Sequence, residues 1–164
     1  MNKEIIKLDF SFQDKIITLI LKCLKNKDDI SAAKILPTKK NAENFYQLEI
    51  FPHIFSEDYC FGYLINNKLI AISCCSTQIN NQYECREKVG IGVVDMVDPD
   101  YRRLGVSKLL RKHIANKLKN NGINKVYLEI KTQNQASLFC ASKVIKELQG
   151  KSNLHSYRIE YNYD

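Results

Sequence analysis

The 164-residue chain has no tryptophan, two methionines, three prolines and six glycines. It also lacks any long apolar run. The stretch Ile16 to Leu21 falls far short of the ~20 residues that a membrane-spanning helix needs. Met1 to Phe12 carries Lys3, Glu4, Lys7 and Asp9 among its apolar residues, which breaks any signal-peptide core. The protein is therefore expected in the cytosol and away from membranes. Its six cysteines (Cys23, Cys60, Cys74, Cys75, Cys85 and Cys140) form no CxxC pair and no cysteine-histidine cluster at zinc spacing, which argues against a metal site and a disulfide framework. They read as reduced thiols used as small hydrophobes. There is no internal repeat or low-complexity stretch. With 45% hydrophobic and 26% charged residues the composition excludes disorder and collagen.

What the chain has in excess is positive charge, +7 from 25 Lys and Arg against 18 Asp and Glu. Such a balance draws polyanions. The basic residues are scattered, however, and no zinc finger, basic zipper or aromatic RNA-binding signature accompanies them. That argues against nucleic acid and suits a phosphate-bearing small molecule. The length fits one domain over residues 1–164.

Ile5 to Phe10 alternates as a short strand, and Phe12 to Leu24 repeats its apolar residues at helical spacing. Lys25 to Asn41 reads as a loop with room for a short helix at Ser31 to Ile35. A helix over Ala42 to Ile50 is expected to end before Pro52. Tyr59 to Ile65 and Lys68 to Gln78 are aromatic and β-branched and flank Asn66-Asn67, a pair suited to a tight hairpin turn. Ile79 to Arg86 is a polar linker. Lys88 to Val97 then reads as a buried central strand whose Gly90 and Gly92 suggest a bulge or a close approach of ligand.

Val106 to Asn121 is the best-marked helix, stopped by Asn121-Gly122. Val126 to Ile130 is a short strand that makes a parallel unit with the central one. Asn134 is expected to cap a helix over Gln135 to Lys143. Val144 to Leu148 and His155 to Tyr163 are expected to close the chain as a hairpin.

Between the central strand and the marked helix runs Val97-Asp98-Pro99-Asp100-Tyr101-Arg102-Arg103-Leu104-Gly105-Val106-Ser107. A helix N-terminus presents unpaired N–H groups and the positive end of a dipole, which bind phosphate oxygens. Gly105 lets a ligand come close to the backbone, Ser107 is small and offers a hydroxyl, and Arg102 and Arg103 add charge that suits phosphate. The composite reads as an anion site for a diphosphate.

The hexapeptide Arg102-Arg103-Leu104-Gly105-Val106-Ser107 resembles the Arg/Gln-x-x-Gly-x-Gly/Ala loop of the GCN5-related N-acetyltransferase (GNAT) family, with Ser at the last place. The order of elements also resembles that family over essentially the whole chain. The resemblance implies an α/β (α+β) fold: a mixed, mostly antiparallel sheet of six to seven strands, split between strands four and five and flanked by about four helices. It implies acetyl-coenzyme A as cosubstrate, no metal, and transfer of the acetyl group to an amine acceptor. The amides from Leu104 to Ser107, with Lys108 alongside, would hold the pyrophosphate. Met96 and Val97 would pair with the pantetheine arm like an added strand. Asn134 stands where the family places an Asn after the following strand and is counted with the cofactor contacts. A homodimer is allowed.

Beyond Ile130 the chain departs from the family pattern. Cys140 stands at the place of the usual tyrosine acid, and Val144-Ile145 at that of Gly-Phe. Cys140 is then either the acid that protonates the leaving thiolate or a structural thiol. Asp95, two residues from Val97 and on its face, is the only carboxylate of the central strand, with Glu84 and Glu87 before it. Its setting among valines suits a base for the amine, and a strand-end residue bonding the next turn is the other reading. His113 is read as packing. Glu43, Tyr46, Glu49, Tyr59 and Tyr83 could line a pocket for a cationic amine. Two rivals stay open: a non-catalytic acyl-coenzyme A-binding module, suggested by the missing tyrosine, and a basic nucleic-acid-binding protein.

Overall fold

The computed structural model describes residues 2–26, 35–56, 58–80, 87–131 and 134–148, together with the strand backbones at 151–155 and 158–162. Tyr83, Glu84, Cys85 and most of the short helix expected at residues 31–35 lie outside the described residues. The strands are β1 (Lys3–Lys7), β2 (Tyr59–Ile65), β3 (Lys68–Asn80), β4 (Glu87–Val97), β5 (Lys125–Glu129), β6 (Lys151–His155) and β7 (Arg158–Asn162). The helices are α1 (Gln13–Lys25), α2 (Lys39–Phe45), α3 (Phe51–Phe55), α4 (Val106–Asn120) and α5 (Gln135–Glu147). Among the described residues no helix is long and apolar enough to cross a membrane.

The seven strands form one sheet in the order β1-β2-β3-β4-β5-β7-β6. Every neighbouring pair is antiparallel except β4 and β5. The turn between β2 and β3 is made by Asn66 (φ 48°) and Asn67 (φ 62°), the two left-handed residues that a tight hairpin needs.

Each face of the sheet carries its own core. One face packs Leu110, Ile114 and Leu118 of α4 and Ala141 and Ile145 of α5 onto Ile70, Cys75 and Val126. The other packs Ile16, Ile20 and Cys23 of α1, together with Ala42, Tyr46, Ile50 and Ile54, onto Cys60, Leu64, Ile72 and Cys74. β4 divides its side chains between them. Its register against β3 slips between Cys74 and Cys75, where Cys74 faces Val94 and Cys75 faces Gly92, so Val93 is the extra residue of a β-bulge. Val93, Val94 and Met96 consequently pack toward α1. Gly92 and Asp95, three residues apart, both line the hollow on the α4 side.

Several boundaries differ from the sequence reading; β1 starts earlier, at Lys3, and α2 starts at Lys39 within the expected loop, with Thr38 as its N-cap. Phe10 leaves the first strand because the Asp9 carboxylate accepts from Ser11 N at 2.8 Å and starts a 3-10 turn over Phe10–Phe12. The helical path continues past Ile50: a π-helical turn, Tyr46–Ile50, leads into α3, and Pro52 sits in the first turn of α3, where a missing N–H breaks no helical bond. β3 runs on to Asn80, which takes Ile79 from the expected linker. The expected strand Val144 to Leu148 is the last turn of α5, with Val144 and Ile145 buried beside Ala141. These residues extend the apolar stripe at i, i+3 and i+4, and packing outweighs the weak helix preference of β-branched side chains. The closing hairpin is β6 with β7.

Candidate functional site

The end of β4 is held by one buried carboxylate. Asp98 is 1% exposed. It accepts from Lys22 of α1 at 2.6 Å, from Lys68 of β3 at 3.2 Å and from the Asp100 amide at 3.0 Å, while its own N–H reaches Ile70 O at 2.7 Å. Burial pushes its carboxyl up, but the Lys22, Asp100 and Lys68 contacts outweigh burial and hold it below its ordinary value.

From there the chain makes a 3-10 turn over Pro99–Tyr101 and enters the loop. Arg103 (φ 63°) and Gly105 (φ 78°) are both left-handed. Gly105 is the N-cap of α4, and no side chain caps that end. A Cβ built on Gly105 would meet nothing within 4 Å, so the space above the helix start is open. The first helical bond runs from Leu109 N to Gly105 O at 3.0 Å, which leaves the preceding amides of the first turn directed outward. The geometry fits the phosphate-cradling part of the expected cosubstrate.

The basic residues around this loop divide. Arg103 is exposed. Arg102 Nε donates to Val97 O at 3.2 Å and ties the loop to the end of β4. Lys108 Nζ reaches Glu147 of α5 at 2.8 Å. Ser107 Oγ lies 3.6 Å from Cys140 Sγ, so the Cys140 thiol meets the first turn of α4.

The cleft opens beside β4. The strand pairs with β5 only at Gly90↔Val126, Ile91↔Tyr127 and Gly92↔Leu128, and past Gly92 the two strands diverge. The resulting gap, about 180 Å³, is lined by Gly92 to Asp95 on one side, by Leu128 to Lys131 on the other, and by Arg111, Asn134 and Ser137. Asn134 caps α5, accepting from Ser137 N at 3.1 Å. Met96 and Val97 continue the open edge of β4 beyond the gap.

Asp95 is not set among valines alone. Its Oδ2 is 2.6 Å from Arg111 Nη2 and 2.7 Å from Arg111 Nε, and Ser73 Oγ donates to its Oδ1. Arg111 extends further, to Ser137 O at 3.1 Å and Ser137 Oγ at 2.7 Å. A carboxylate clasped on both oxygens holds its neighbours in place, so Asp95 bridges β3 and α4 as well as facing the cleft. His113 packs its ring on Phe61 at 4.6 Å, as read from sequence. Of the residues read as an acceptor pocket, Tyr46 is fully buried and Tyr59 bonds Asn121. No three His, Cys, Asp or Glu gather as a metal site among the described residues.

Sequence reasoning missed Asp98, Ser73, Arg111 and Ser137. Asp98 sits in the quoted loop between β4 and the 3-10 turn, but its lysines come from α1 and β3. Arg111 falls between apolar helix positions and reads as solvated. Only the bulge at Val93, invisible in an alternating pattern, turns Asp95 toward it.

The same architecture occurs in solved structures. A PaiA N-acetyltransferase from Thermoplasma acidophilum, solved with coenzyme A, superposes with a TM-score of 0.67 at 20% identity, covering 99% of this chain and 100% of that one. A GNAT-family acetyltransferase from Staphylococcus aureus gives a TM-score of 0.68 at 17% identity, covering 99% and 100%. Glucosamine-6-phosphate N-acetyltransferase from Arabidopsis thaliana gives 0.59 at 20%, covering 86% and 91%. At these identities the likeness is one of fold. Among curated proteins none matches the chain significantly. The sequence profile of the acetyltransferase (GNAT) family, by contrast, matches residues 27–144, a span that takes in the split, the left-handed loop and most of α5, and to that family this chain belongs.

Proposed function

We propose that the protein transfers an acetyl group from acetyl-coenzyme A to a primary amine of a small molecule or peptide, acting in the cytosol. One observation carries this reading. The open edge of β4, Val93 to Val97, leads through a 3-10 turn and a short loop to an uncapped helix N-terminus where Gly105 leaves room for a ligand. A pantetheine arm can add to a strand edge through backbone hydrogen bonds, and a pyrophosphate can rest on the amides of a helix start. In this reading Leu104 to Lys108 hold the pyrophosphate with Arg103 beside them. Met96 and Val97 pair with the arm, Arg102 braces the Val97 carbonyl, and Asn134 borders the same cleft. The thioester supplies the activated acyl group, and a β4 amide near Val97 polarises its carbonyl.

Asp95 and Cys140 remain the groups assigned to proton transfer. Their contacts argue that Asp95 first serves to hold Arg111, and Cys140 to pack against Ser107. Full activity of Cys140→Ala would remove the thiol from the mechanism.

The test is a calorimetric titration with coenzyme A and acetyl-coenzyme A, followed by a mass-spectrometric screen of amine acceptors. Micromolar binding that Gly105→Glu weakens at least a hundredfold is expected, because the new carboxylate would stand at the phosphate position. Unchanged affinity in Gly105→Glu would overturn the loop assignment. Binding without turnover on any amine would favour an acyl-coenzyme A-binding module. Steeply salt-dependent affinity for DNA or RNA with none for coenzyme A would favour a nucleic-acid protein.

A further inference from the structure

Two hollows share a wall. The cleft in the split and a smaller cavity of about 40 Å³ between the sheet and α4 share Gly92, Asp95, Arg111 and Leu128 in their walls. Beyond those residues the smaller cavity is lined mainly by apolar groups, among them Ile114, Ala115, Leu118 and Val126. A space with such walls has little to offer water and is suited to hydrocarbon. Gly92 and Leu128 face each other across the parallel ladder. A Cβ on Gly92 would stand 2.0 Å from Leu128 Cδ2, so the leucine occupies the room that any side chain at position 92 would need. The bulge at Val93 keeps Gly92 and Asp95 on this same face.

We propose that Leu128 is the chain-length gate for the acyl group of the donor, a specificity-determining residue that limits the wild-type protein to short acyl chains. The inference rests on the acetyl-coenzyme A reading. An acyl chain entering the cleft past Gly92 meets the Leu128 side chain after the first carbons. Behind that side chain lies the apolar cavity. Trimming Leu128 joins cleft and cavity into one channel that buries further methylenes, each worth about a fourfold gain in affinity.

The experiment titrates the full chain with free coenzyme A and with its acetyl, butyryl and hexanoyl thioesters. The wild-type protein is expected to bind acetyl-coenzyme A better than butyryl-coenzyme A. Leu128→Ala should raise the butyryl-to-acetyl affinity ratio by about tenfold, the worth of two methylenes after some loss to imperfect packing. Leu128→Ala with Ala115→Leu, which refills the cavity from α4, should return the ratio toward wild type. Leu128→Val, a smaller trim, supplies the same comparison with propionyl-coenzyme A should Leu128→Ala fail to fold. An unchanged ratio in a variant that still unfolds cooperatively would overturn the gate alone. No binding of coenzyme A by the wild-type chain would overturn the donor reading and the gate with it.

Discussion

Arg111 Nη2 stands 2.6 Å from Asp95 Oδ2, and the same guanidinium reaches Ser137 on the opposite side of the cleft. The Arg111 side chain is the better covered of the two, 10% exposed against 23% for Asp95, and the pair links β4 and α4 while Ser137 brings in α5. Removing Asp95 leaves the Arg111 charge, the better covered of the two, without its carboxylate partner. Asp95→Asn and Arg111→Met should each cost about 1–3 kcal/mol, and the double variant should cost less than their sum, with a coupling of about 1–2 kcal/mol. Urea unfolding of the four proteins gives the cycle. Additive losses would show that the two side chains act independently.

The acid limb of the stability curve should depend on Asp98. Its folded carboxyl is held below the ordinary value of about 3.9. The stabilisation it gives is therefore complete above about pH 4 and is lost as pH falls through the folded value. Asp98→Asn should flatten the profile between pH 2 and pH 4 and lower stability at neutral pH by about 2 kcal/mol, as two lysines and an amide lose their anion. Chemical unfolding at a series of pH values reads both effects.

His113 should act in a different window. Burial first, and Lys117 second, lower its pKa, so the neutral ring is the form that packs against Phe61. Stability from this contact is full above the unfolded value of about 6.5 and declines as pH falls below it. His113→Leu should remove that component of the slope between pH 6.5 and pH 5 in thermal melts, leaving the Asp98 limb in place.

Tyr46 is fully buried in the π-helical turn, and its hydroxyl has no hydrogen-bond partner among the described residues. Burial raises its pKa. An unpaired buried hydroxyl costs free energy that a phenyl ring does not. Tyr46→Phe should leave the fold intact and raise stability by about 1 kcal/mol, seen as a higher urea midpoint at an unchanged slope. A loss of stability instead would mean that the hydroxyl finds a partner.

Features written in local chemistry were legible beforehand. The Asn66-Asn67 turn, the Asn134 cap and the Gly122 stop each follow from neighbouring residues, and all three stand where they were read. At the last of them Gly122 N bonds Lys119 O and Ile123 N bonds Leu118 O, the paired bonds of a glycine C-cap. The loop from Arg102 to Ser107 was legible because glycine, arginine and a helix start coincide in one short window. The roles of Arg102, Asp95 and Arg111 were not. Arg102 answers to a carbonyl five residues earlier, and the Asp95 pair depends on a one-residue slip in the β3–β4 register that no hydrophobic pattern records. Val144 and Ile145 misled for the opposite reason, since two β-branched residues read as strand until the helix beneath them supplies a core to fill.

Only three residue pairs join β4 to β5. Mechanically this makes the sheet two stiff plates with a narrow hinge, and tension or mild denaturant should open it there first. A ligand that lies along β4 as an extra strand would then work as a splint. It should slow hydrogen exchange in β5 and β7 as well as in β4, far from any group it touches, and the last third of the chain would register donor occupancy as rigidity.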